Sequence, residues 1–188
     1  VFTVSWAWAQ DMDKFAPAKK TPQSIPENLR KVLAEDQTDK NLYIPGKYYC
    51  HNFACTFYAQ NSCVMSNLDN LDLKGIEKEW GVVIQRLNDK VKLPIYYVGL
   101  VNKESGFYHA INAMLVNPDK PNEISSYIFI EPQTDEVFMT ARDLHQAYNR
   151  YYGSEPLSVS IQTFDAFKHN GNIYQSITNE VVKFEVRP

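Results

Sequence analysis

Three cysteines, Cys50, Cys55 and Cys63, sit close together in a chain of 188 residues that also has four histidines. A thiol beside an imidazole is the pairing that nucleophilic catalysis uses, and the thiolate is the reactive form. A helix start favours that form, because its unpaired N–H groups and positive dipole end stabilise negative charge. The run KYYCHNFACTFYAQNSC, following the turn signal Pro45 and Gly46, puts Cys50 at such a start, with Phe53, Ala54, Phe57 and Tyr58 supplying an apolar stripe behind it. Cys55 falls roughly 140° around the helix from Cys50, among those aromatics, and reads as core. Cys63 falls near the negative, C-terminal end, a poor place for a nucleophile. His51 adjoins Cys50 in sequence but points about 100° away from it.

An odd number of cysteines leaves at least one thiol free, and Cys55 and Cys63 would lie about 12 Å apart along a helix, too far for a disulfide. Cys50, His51, Cys55 and Cys63 are four potential zinc ligands, but their spacing lacks the short paired knuckles of structural zinc sites, so neither a metal nor another cofactor is expected. A zinc domain remains the reading that chelators would test.

The stronger base is His109, which opens a strand after Gly106, Phe107 and Tyr108. His145, in the polar part of a late helix, and His169, in the loop KHNGN, read as surface residues. A hairpin centred on Lys120 sets His109 opposite Glu131, and directly opposed residues share a sheet face. A carboxylate there would accept the imidazole Nδ1–H and fix the ring's tautomer. A register slip of two residues would offer Gln133 in its place. Asn112 faces the other way. One topology, a helix packed on an antiparallel meander, would thus bring Cys50, His109 and Glu131 into one cleft.

The elements that must hold these groups follow from composition and periodicity. With 44% apolar and 13% aromatic residues the chain should fold as one domain. Nineteen basic against 22 acidic residues, interleaved, give a net charge of −3 and no basic face for nucleic acid. No apolar run is long enough for a membrane span. The uncharged start VFTVSWAWA, ending small-x-small, resembles the back half of a signal peptide or else an anchoring segment. Residues 1–20 are read as that appendage and 21–188 as the domain. A signal would make the protein secreted or periplasmic; its alternative is cytoplasmic. Ser24 and Glu27 form a capping-box pattern for a helix over 26–36, and Ile76, Trp80, Val83, Ile84, Leu87 and Val91 repeat with helical period over 74–91 despite Gly75 and Gly81. Strands are expected at 95–102, 109–117 and 126–131, joined as a meander. Thr140 and Asp143 should cap a helix ended by Gly153, with two more strands at about 158–164 and 173–186. The fold class is α+β, N-terminal helices on an antiparallel sheet.

The segments YYCHNFA, FYHAINAMLV and YIFIEPQTDEVF resemble the cysteine, histidine and acidic motifs of transglutaminase-like proteins of the papain-like superfamily, most of all its prokaryotic members, over residues 48–138. The resemblance implies a papain-like fold and a cysteine that forms a thioester with an acyl substrate. It also implies a histidine that shuttles the proton and an acid that orients it, roles that fall on Cys50, His109 and Glu131. Two departures stand out: Glu131 where Asp is usual, and about thirty residues, Val64 to Leu93, inserted between helix and first strand. The oxyanion would need the Cys50 N–H and a second donor, for which Tyr48, Tyr49 and Asn52 are unranked candidates.

The expected activity is cysteine-dependent acyl transfer on a peptide or protein amide, by hydrolysis or transamidation, with water as the default acceptor. The alternative is an inactive domain of the same fold whose cleft binds peptide, glycan or cell-wall material, for which the many tyrosines would serve. Oligomeric state is not legible.

Overall fold

A computed structural model describes residues 25–36, 38, 49–63, 93–169 and 173–188, with only the backbone of 59, 164–169 and 173–178. The expected N-terminal appendage, Ser24, Tyr48 and the helix over 74–91 lie outside the described residues.

Helix α1, Glu27–Glu35, buries Leu29, Val32 and Leu33, the i, i+3, i+4 set that its periodicity marks. Its N-cap is Pro26, with no side-chain cap, and not the expected Ser24. Proline fits a helix start because its missing N–H would have been unpaired there and its φ, here −53°, is already set. Helix α2, Cys50–Asn61, carries the cysteines and buries Phe53, Ala54, Cys55, Phe57 and Tyr58 completely. Burying each of its phenylalanines stabilises the fold by about 1.5–3 kcal/mol, which fixes α2 against the sheet. Helix α3, Ala141–Tyr152, begins at the expected capping box: Asp143 N–H donates to Thr140 Oγ1 at 3.1 Å and Thr140 N–H to Asp143 Oδ2 at 3.0 Å. It ends at Gly153, whose φ of +74° suits glycine.

Six strands, β1 (Ile95–Asn102), β2 (Phe107–Leu115), β3 (Tyr127–Glu131), β4 (Glu136–Phe138), β5 (Leu157–His169) and β6 (Ile173–Val186), form one antiparallel sheet in the order β4, β3, β2, β1, β5, β6. The β1–β2–β3 meander is therefore present, extended by β4 on one side and by the β5–β6 hairpin on the other. Three residues of β4 are too few to carry a periodic signal. His169 ends β5 and is not in a loop.

Side chains alternate between the faces. One core joins α1 and α2 to Tyr97, Ala110, Met114, Ile128 and Ile130. The other joins α3, through Leu144, Tyr148 and Tyr152, to Phe107, Ile111, Ala113, Phe129 and β5. The protein is thus an α+β structure with helices on both faces of an antiparallel sheet. No helix among the described residues is long and apolar enough to cross a membrane.

Candidate active site

Cys50 is the first residue of α2 and partly buried. Asn52 pins the start of that helix: its Oδ1 accepts the Tyr49 N–H at 3.0 Å, and its own N–H donates to the Tyr49 carbonyl at 2.8 Å. Of the oxyanion candidates, Asn52 is thereby engaged as a helix cap, and Tyr49 stands half exposed with its ring stacked on His51.

His109 and Glu131 meet, but not in the expected register. The β2–β3 ladder pairs Asn112 with Ile130 and Ala113 with Phe129, two residues out from a hairpin centred on Lys120. The loop is asymmetric, with a 3₁₀ turn at Ile124–Ser126 and the Val116 N–H donating to the Ser126 carbonyl, so its centre moves. Continuing the ladder sets Glu131 across from Ile111, which makes His109 its diagonal neighbour, a separation that a long side chain spans. Gln133, the alternative partner, instead supports the acid by donating its backbone N–H to Glu131 Oε1 at 3.2 Å. The ring nitrogen is also corrected: Nε2–H, not Nδ1–H, donates to Glu131 Oε2, at 2.6 Å. Cys50 acts on the same ring, its thiol and its charge both raising the His109 pKa.

His109 belongs to the α3 face, while α2 packs on the other. The β2–β3 ladder starts at Asn112 and β3 stops at Glu131. The first part of β2 therefore has no paired β3 residue beside it. Asn112, on the opposite face as expected, ties α2 to the sheet by donating to the Ala54 carbonyl at 3.0 Å.

Both His109 and Glu131 are buried. Burial alone would lower the His109 pKa, but the Glu131 charge, the contact with Cys50 and the hydrogen bond to Glu131 together raise it above the usual histidine value. Burial would raise the Glu131 pKa; the His109 charge and the hydrogen bonds from His109, Tyr148 and Gln133 hold it below the usual carboxylate value. An ion pair at neutral pH is the result.

Tyr148 is the site residue that sequence reading passed over. From α3 its hydroxyl donates to Glu131 Oε2 at 2.6 Å, and its ring packs on His109 at 5.1 Å. The available signal was that a tyrosine on a core-facing position must find a partner for its hydroxyl. His145, expected at the surface, is buried, with Nε2 3.1 Å from the Glu155 carbonyl.

His51 does not serve Cys50. Its Nδ1 is 2.9 Å from the Tyr97 hydroxyl, which is 3.1 Å from that of Tyr108, and its Nε2 is 3.5 Å from Cys55 Sγ. Burial lowers its pKa and keeps the ring neutral. Cys55 is fully buried, as expected, and burial, then the Cys50 charge, push its pKa well up. Cys63, just past α2, is exposed, and all three thiols are free. The four zinc candidates do not gather: among the described residues no group of three or more His, Cys, Asp or Glu is placed to hold a metal ion.

Comparison of the chain with protein-family models, with curated proteins and with solved structures finds no match.

Proposed function

We propose that the protein is a cysteine-dependent acyl-transfer enzyme acting on peptide or protein amides, with a papain-like, transglutaminase-like arrangement of Cys50, His109 and Glu131. The observation that carries this reading is the arrangement of three groups: a thiol at a helix start, a buried imidazole whose pKa that thiol helps to raise, and a buried acid that holds the imidazole by Nε2 at 2.6 Å. His109, its pKa raised, holds a proton at neutral pH, and the thiolate is the form of a cysteine that attacks. Sulfur attacks the amide carbonyl carbon, and the Cys50 N–H at the start of α2 faces the developing oxyanion. The C–N bond then breaks as the His109 Nδ1–H proton passes to the leaving amine, which leaves a thioester. His109, now neutral, takes a proton from water; the hydroxide adds to the thioester carbonyl, and the acid is released with the thiolate restored. An amine in place of water would give transamidation, and hydrolysis is the default because water is the abundant acceptor. Throughout, Glu131 keeps the ring aimed and offsets its charge.

Alkylation of the native protein by iodoacetamide across pH, with peptide mapping, tests the reading. Cys50 should react faster than free cysteine at pH 6, and Cys55 should not react. A Cys50 no faster than free cysteine would leave a non-catalytic peptide- or glycan-binding domain.

A further inference from the structure

On the sheet face that carries α2, the helix packs against β1 and β2. Beside it, over β1, β5 and β6, lies an open trough of about 490 Å³. It reaches His51, the residue that follows Cys50 at the start of α2. Tyr97 and Tyr108 form its wall on that side, their hydroxyls 3.1 Å apart. Its floor is low because Gly99 has no side chain: a Cβ there would stand 3.4 Å from Gln162 Nε2.

The polar groups of the trough divide into those already engaged and those left over. Gln162 Nε2 donates to Ser160 Oγ at 2.8 Å, and Ser160 Oγ donates to Glu180 Oε2 at 2.7 Å. The trough's carboxylate is thus held within its own wall. Lys103 and Lys183, also lining it, are exposed and make no ion pair among the described residues. Lys183 stands across from Ser160, and Lys103 lies past the end of β1. The two ammonium groups are therefore separated along the trough, as contacts to an extended chain would be, and are not a single point site.

We infer that this trough seats the peptide of the acyl donor and selects an acidic one, its carboxylate side chains met by Lys103 and Lys183 while its scissile amide lies at Cys50. The inference rests on the acyl-transfer reading above and adds the substrate class to it. Complementary charge at an exposed rim changes discrimination between ligands more than it changes the chemical step.

Two tripeptide chloromethyl ketones, alike except for Glu or Lys at the two positions before the reactive group, test it at low ionic strength. The acidic probe should label Cys50 about tenfold faster than the basic one. In a variant carrying both Lys103→Glu and Lys183→Glu that order should reverse, while iodoacetamide labels Cys50 at the wild-type rate, since both lysines are exposed and their replacement disturbs no core. Equal labelling by the two probes, or an acidic preference that survives the double replacement, overturns the assignment of the trough. Slow labelling of wild-type Cys50 by iodoacetamide overturns the thiol chemistry itself, and with it this inference.

Discussion

Glu131 is a carboxylate with three donors aimed at it and almost no water, and each donor does a separable job. The His109 ring needs it for aim, the Gln133 N–H fixes one oxygen, and the Tyr148 hydroxyl shares the other with the imidazole. A hydrogen bond to a buried charge contributes about 1.5–3 kcal/mol. Tyr148→Phe keeps the ring that packs on His109 and Phe107 and removes only the hydroxyl. Urea unfolding at pH 7 should therefore show a loss of that size. A plain core tyrosine would tolerate phenylalanine, so a change below about 0.5 kcal/mol would mean that the hydroxyl does not hold the acid.

At the scale of elements, α3 is the part whose contribution sequence periodicity understates. It presents Leu144, Tyr148 and Tyr152 to the sheet and is started by the Thr140–Asp143 box. Thr140→Ala should lower stability by about 1 kcal/mol in a thermal melt, with Cys50 alkylation unchanged, because Tyr148 lies two turns inside the helix. What was legible in the sequence had a repeat long enough to read: the helical periods, the three meander strands, and the placing of Cys50 on a helix start and Glu131 on a strand end, while His109 is the third residue of a strand that begins two residues earlier than expected. What was not legible depends on contacts between elements. The two-residue shift of the β2–β3 pairing comes from a 3₁₀ turn inside the loop. His145 looked exposed because its helix neighbours are polar, whereas its ring turns in towards the Glu155 carbonyl.

Across the whole molecule, the His109–Glu131 pair ties folding to pH, and the direction follows from the two shifts. Glu131 is held below the ordinary carboxyl value of 4.5, so its contribution is present above about pH 4.5 and is lost as the pH falls through that value and below. His109 is raised above 6.5, so its contribution is whole below about pH 6.5 and is lost as the pH climbs from there towards the raised value. The pair therefore stabilises most between these limits. Between pH 6.5 and 8 the wild-type unfolding free energy should fall, by at most about 1.4 kcal/mol per pH unit for one proton. Glu131→Gln removes the charge that raises His109 most and leaves burial opposed by Cys50 alone, so the variant should be less stable at pH 6.5 and lose most of the alkaline decline. His51 shifts the other way, its lowered pKa costing stability on the acid side, but it is unchanged in the variant and cancels in the difference. Urea unfolding of both proteins at half-unit steps from pH 6 to 8 measures that difference. Parallel curves would mean that the imidazole and the acid titrate independently, and a site built on their coupling could not hold its proton where acyl transfer needs it.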